Sequence, residues 1–144
     1  MSPQIWGVYL CQPLAAKIDR MKPRERNRSA KKIRNYLEAA YQVRIGILII
    51  DSHGRAWRLG VLGTSIGFSG MPGLIDMRGE PDLFGYKLRT TEISVADELA
   101  AGASLIMGQA SECIPAVHVR GFPYPLREGG LRELLRSKQR DLFR

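Results

Sequence analysis

Arg44-Ile45-Gly46-Ile47-Leu48-Ile49-Ile50-Asp51-Ser52-His53-Gly54-Arg55 is the stretch whose reading decides the fold. From Ile45 to Ile50 it is apolar on both faces and rich in β-branched side chains, as expected for a central strand covered on each side. Asp51 breaks the run, and Asp51-Ser52-His53-Gly54-Arg55 is expected to form a turn at the carboxyl end of that strand. Upstream, Ala30, Ile33, Leu37 and Ala40 recur at helical spacing, with Lys31, Lys32, Arg34, Asn35 and Glu38 on the other faces. An amphipathic helix from Ser29 to about Tyr41 follows. Ile5 to Leu10 has the composition of a short strand, but Pro3 and Pro13 bracket it, and residues 1–22 are left undetermined.

Downstream, glycines at 60, 63, 67, 70, 73 and 79 predict short strands and tight turns. Ser94-Val95-Ala96-Asp97 resembles a capping box, and Val95, Leu99, Gly102, Ala103 and Ile106 continue it as a helix that stops at Gly108. Ile114 to Val119 reads as a strand and Leu131 to Arg140 as a final short helix. These elements together predict one α+β domain, a mixed β-sheet with flanking helices.

Bulk properties bound the function. A chain of 144 residues lies in the one-domain range and buries roughly 68–70% of its unfolded surface. It needs no disulfide or metal staple. Cys11 and Cys113 have neither metal-ligand nor secreted-framework spacing and are expected to be reduced. The apolar run at 45–50 is far short of the roughly 20 residues that span a bilayer. Met1-Ser2-Pro3-Gln4 lacks the features of a signal peptide, so a cytoplasmic protein is expected. A net charge of +8 and a pI near 9.9 favour anionic partners without naming one. The local excess, six basic residues between Lys17 and Arg28 against Asp19 and Glu25, also fits a plain solvated segment.

Chemistry concentrates in two places. Asp51 and Ser52 offer a carboxylate and a hydroxyl suited to a hard cation such as Mg²⁺ or Mn²⁺. Arg55 and Arg58 follow and suit phosphate or carboxylate charge. The bland reading of the same residues is a simple turn. After the second helix, Met107-Gly108-Gln109-Ala110-Ser111-Glu112 leaves its amides, Gln109, Ser111 and Glu112 free to face a cleft, or serves only as a connector. No P-loop ending and no GxGxxG fingerprint accompanies the glycines. His53 sits on the candidate turn, whereas His118 reads as a strand residue and Cys113 lacks a base partner.

Several segments, taken in order, resemble the coenzyme F-420-0:L-glutamate ligase (γ-glutamyl ligase) family. They are Ile49 to Arg58, Gly63-Thr64-Ser65-Ile66-Gly67, Leu74 to Gly79, Pro81-Asp82-Leu83-Phe84-Gly85, Val95 to Ala100, Leu105 to Ala110, and Arg140-Asp141-Leu142-Phe143-Arg144. The resemblance reaches the family's C-terminal portion, from about Pro23 to the end, so 23–144 is expected to be a γ-glutamyl ligase-like domain, truncated relative to the family. It implies GTP as substrate, Mg²⁺ or Mn²⁺ with K⁺ as an additional cation, and amide ligation of L-glutamate to a deazaflavin coenzyme precursor or related acidic acceptor. By resemblance Asp51, Ser52 and Gln109 are metal ligands. Asp51, Arg55 and Arg58 serve the reaction, and Met107, Gly108, Gln109, Ala110, Ser111, Glu112, Cys113 and Ile114 form the nucleotide-contacting segment. A homodimer, or a complex with a missing N-terminal half, is implied, because members are substantially longer and carry further nucleotide contacts and an acidic metal ligand in that half. A noncatalytic truncated homologue, binding a partner chain or an anionic ligand, is the alternative; nucleic-acid binding would rest on charge alone.

Overall fold

The computed structural model describes residues 6–9 and 23–141, with side chains at 24–139 and 141. In chain order the regular elements are β1 (Trp6–Tyr9), α1 (Pro23–Tyr41), β2 (Ile47–Arg55), β3 (Arg58–Ser69), β4 (Ile75–Asp76), β5 (Glu92–Ile93), α2 (Val95–Met107) and β6 (Ala116–Val119). The larger sheet has the order β3-β2-β1-β6, with β1 parallel to β2 and the other pairs antiparallel. It is a mixed sheet between two helices, the α+β arrangement expected. Strand β1 comes from the segment left undetermined by the sequence and joins β2 to β6.

Helix α1 starts at Pro23, earlier than the Ser29 expected, so Arg24, Arg26 and Arg28 are helical. Proline at a first helical position loses no hydrogen bond and presets φ, which makes Pro23 a start signal. Alternation along β2 then sorts the two cores. Ile45, Ile47 and Ile49, with Ile66, pack against Ala30 and the half-buried Ile33 and Leu37 of α1. Leu48 and Ile50, with Phe68 and Met71, pack against Ala96, Ala100, Ala103 and Met107 of α2. Ile49 pairs with Gly67 but Ile50 with Ser65, so Ile66 forms a bulge that adds a side chain to the α1 face.

The first half of the glycine-rich stretch, expected as short strands and turns, is part of one strand of 12 residues, whereas Gly70, Gly73 and Gly79 lie in bends and turns around the short β4 as expected. Glycine weakens a strand by about 0.5–1 kcal/mol per position, whereas burying an apolar side chain such as Ile66 or Phe68 contributes roughly 1.5–3 kcal/mol. Burial wins. The glycines serve close helix packing: a Cβ at position 63 would lie 2.5 Å from the Ala100 carbonyl oxygen of α2, and one at 67 would lie 2.9 Å from the Arg26 backbone of α1.

The capping box expected at Ser94 does not form, since Ser94 makes no side-chain cap bond. Instead the Asp97 carboxylate faces β3, accepting from the Ser65 amide at 2.9 Å, the Ser65 hydroxyl at 2.6 Å and the Ser94 hydroxyl at 2.8 Å. A tertiary bond has taken the group that local sequence assigned to the cap. Gly108, with φ 74°, ends α2 as expected, and its N–H bonds the Ser104 carbonyl.

The final helix expected at Leu131 to Arg140 is replaced by two 3-10 turns, Leu131–Glu133 and Lys138–Arg140. A helix that short is marginal in water, and tertiary contacts claim its residues. Leu131 is buried, and Glu133 accepts from the Gly73 amide at 3.1 Å and from Arg127 at 2.7 Å. Burial pushes the Glu133 carboxyl up, but Arg127 and the amides of Gly73 and Leu74 outweigh it and leave it below its ordinary 4.5. A depressed carboxyl contributes stability that is present above its unfolded value and is lost as pH falls through its folded one.

Two outcomes follow for stability. In urea titrations the unfolding midpoint should decline as pH drops below about 4.5, and Glu133→Gln should remove part of that decline while lowering stability at pH 7. Gly63→Ala should cost about 1–3 kcal/mol through overpacking against α2, seen as a lower midpoint with an unchanged slope.

Candidate functional site

Strand β2 does not break at Asp51. It continues to Arg55, pairing Asp51 with Thr64, Ser52 with Gly63, His53 with Leu62 and Gly54 with Val61. The turn expected at 51–55 lies instead at Ala56-Trp57, where Trp57 adopts φ 65°. Turn-forming residue types were overridden by ladder hydrogen bonds from β3, whose length the glycines had hidden.

Strand geometry then fixes the side-chain directions. Ser52 follows Leu48 and Ile50 onto the α2 face, beside Gly63. Because Gly63 lets α2 come close, the residue just past the helix cap reaches the strand: the Ser52 hydroxyl donates to the Gln109 carboxamide oxygen. This contact joins residues 57 positions apart and unites the two segments singled out in the sequence. Ser104 reinforces it, its hydroxyl accepting from the Gly63 amide at 3.0 Å.

Asp51 and His53 alternate to the other face. Asp51 Oδ1 accepts from the Ser52 amide at 2.8 Å. His53 Nδ1 meets Thr64 Oγ1 at 2.6 Å, and Thr64 donates to the Asp51 carbonyl at 3.4 Å. His53 is thereby held to the strand as an exposed side chain.

In the loop after α2, Met107 packs its side chain in the core, while residues 109–114 are exposed. Glu112 is not free to face a cleft as the sequence suggested. Its carboxylate turns back to accept from the Ala110 amide at 2.8 Å. Cys113 adopts φ 54° and is exposed. Arg55 and Arg58 face each other at the hairpin tip. Arg55 lies three residues beyond Ser52, roughly 10 Å along the strand, so the structure does not bring the arginines to the Ser52–Gln109 pair. His118 is an exposed residue of β6.

The Leu74 to Gly79 segment has a structural explanation. Arg78 bonds both oxygens of Asp76, at 2.8 and 2.5 Å, and reaches Glu92 across β4–β5 at 3.4 Å. The hydrogen bonds and charge of Arg78 hold Asp76 down at about 2. Asp97, Ser104 and Thr64 are positioning residues that the sequence reading missed. A polar side chain that bonds a partner distant in sequence gives no periodic signal.

As to metal ligation, no three His, Cys, Asp or Glu side chains converge among the described residues. On the α2 face the donors available are the hydroxyl of Ser52 and the carboxamide oxygen of Gln109; the Asp51 carboxylate, one residue away, lies on the opposite face, so the structure does not bring the three expected metal ligands together. An all-oxygen set of this kind suits a hard cation that draws its remaining ligands from phosphate and water.

This fold and this pair of segments define a family. The profile described as "F420-0:Gamma-glutamyl ligase" matches residues 17–121, and the chain belongs to that family. Among its relatives, the "Coenzyme F420:L-glutamate ligase" of Methanococcus maripaludis (strain C6) is 48% identical over 122 residues, covering 85% of this chain and 49% of the relative. Proteins of the same name from Methanocaldococcus jannaschii and Archaeoglobus fulgidus are 47% and 41% identical over 122 residues, each covering 85% of this chain and 49% of the relative. The chain therefore spans about half the length of the curated relatives it matches. No helix among the described residues is long and apolar enough to cross a membrane.

The contact that unites the segments is open to a double-mutant cycle. Ser52→Ala and Gln109→Ala should couple by about 0.5–1.5 kcal/mol in unfolding free energy; strictly additive effects would mean the two side chains do not meet in solution.

Proposed function

We propose that this chain is the C-terminal part of a GTP- and divalent-metal-dependent γ-glutamyl ligase that joins L-glutamate by an amide bond to a coenzyme F-420 precursor or related acidic acceptor. The family membership and the relatives' name support the ligase class. The observation that carries the reading is the Ser52–Gln109 hydrogen bond, which makes one neighbourhood of the oxygen-donor strand and the loop after α2.

The chemistry transfers the γ-phosphoryl group of GTP to a substrate carboxylate, giving an acyl phosphate and GDP. The amine then attacks the acyl carbon: a C–N bond forms, the C–O bond to phosphate breaks, and the amine gives up a proton. Both steps gather negative charge on oxygen, which fixed cations and amide donors stabilise. A divalent cation held by Ser52 and Gln109, and by Asp51 once its carboxylate turns from the other face of β2, would supply part of that stabilisation. Within 107–114, the amides past Gly108 would meet the nucleotide phosphates. Arg55 and Arg58, at the ribbon tip, would meet charge farther along the ligand. The apolar side chains of Trp57 and Leu59, 92% and 98% exposed, favour a covering polypeptide there, either a second copy or the half of the family's length that this chain does not span.

A second reading, a noncatalytic homologue acting as a binding module, is favoured by the half-length coverage. Thermal melts separate the two. With GTP and Mn²⁺ at about ten times the dissociation constant, the melting temperature should rise by roughly 5 °C. Asp51→Ala should abolish the Mn²⁺-dependent part of that rise. A wild-type melt indifferent to GTP and Mn²⁺ would contradict a nucleotide site in this chain.

A further inference from the structure

Helix α1 carries a row of cations that its own packing does not use. Arg24, Arg28 and Lys32 are exposed and stand at successive four-residue steps, so they share one face. Like charges at that spacing oppose a helix instead of supporting it. No ion pair among the described residues takes up any of the three. The ion pairs of α1 belong to Arg34, which meets Glu38 and Glu128, while Ala30, Ile33 and Leu37 face the sheet.

The row begins beside the candidate site. The Arg26 backbone packs on Gly67, and Gly67 pairs with Ile49. Asp51 follows Ile49 on the same face of β2, two residues or roughly 7 Å farther along the strand. From that end α1 runs back over Ile47 and Ile45, which carries the cations from Arg24 to Lys32 over about 12 Å.

Charge bookkeeping names a ligand for such a row. Each amide ligation of glutamate spends one acceptor carboxylate and brings two, so an extended acceptor gains a negative charge with every cycle. A glutamate joined through its γ-carboxyl lengthens the chain by roughly 6 Å when extended, and four helical residues rise about 6 Å. We propose that Arg24, Arg28 and Lys32 hold the γ-linked glutamate tail of an acceptor that has already been extended, one carboxylate to each cation. The inference rests on the ligase reading and adds a substrate class to it: acceptors ending in several γ-linked glutamates.

The probes are γ-linked oligoglutamates of two, three and four residues, fluorescein-labelled at the amine and followed by anisotropy with the full chain, without GTP or metal. Affinity should rise about threefold per added residue, the gain from one exposed ion pair, and fall as salt is raised. Arg28→Glu and Lys32→Glu should each weaken the four-residue probe about tenfold with helix content unchanged. Lys87→Glu, an equal change of net charge at an exposed position outside α1, should bind as wild type does. Affinity independent of probe length, or the same loss in Lys87→Glu as in the α1 variants, overturns the proposal. Equal binding of the α-linked four-residue isomer leaves only net-charge attraction and overturns it too. Tail binding in a chain that GTP and Mn²⁺ do not stabilise would sink the ligase reading and leave the row; stabilisation by GTP and Mn²⁺ without tail binding would do the reverse.

Discussion

The approach of α2 to β3 over Gly63 is the constraint on which the rest depends. A side chain at that position would strike the Ala100 carbonyl, and the space it leaves is used by Ser104, whose hydroxyl takes the Gly63 amide. Two residues along β3, Asp97 fastens the start of the helix to Ser65 by two hydrogen bonds. Helix α2 is thus held at both ends against one strand, and the loop that follows it has a fixed starting point. That is why Gln109 arrives at Ser52.

From this follows the chemical character of the site. The sheet supplies a serine and an aspartate on adjacent, oppositely directed positions of β2, and the helix supplies a carboxamide. No strong acid–base pair is built from these residues; the donors are oxygens of modest basicity, of the kind a hard cation accepts. Charge stabilisation is the work such a site can do. Acid–base partners of stronger character elsewhere, Asp76 with Arg78 and Glu133 with Arg127, are consumed in holding β4–β5 and the C-terminal segment.

Much of this was legible in the sequence. The strand through Ile47–Ile50, the helix ending at Gly108 and the α+β class follow from periodicity and from glycine's tolerance of positive φ. The misreadings share one cause. Asp51 to Arg55 has turn composition and is strand, glycines 60, 63 and 67 have turn composition and lie in a strand, and Ser94 to Asp97 has cap composition while Asp97 bonds β3 instead. In each case a partner distant in sequence supplied a hydrogen bond or a packing surface stronger than the local preference. The family resemblance crossed that gap for Gln109, since nothing in its own neighbourhood distinguishes it from any loop glutamine. It gave no warning that Glu112 would turn inward.

The central proposal is that Ser52 and Gln109 share one cation, with Asp51 turning to it from the opposite face of β2. Paramagnetic broadening by sub-stoichiometric Mn²⁺ in the presence of GTP tests it most directly, because the effect depends on distance to the ion alone. The amide signals of Asp51, Ser52 and Gln109 should broaden together, ahead of all others. Broadening centred on Asp76 and Glu92, or on strand β2 without the loop, would contradict the account.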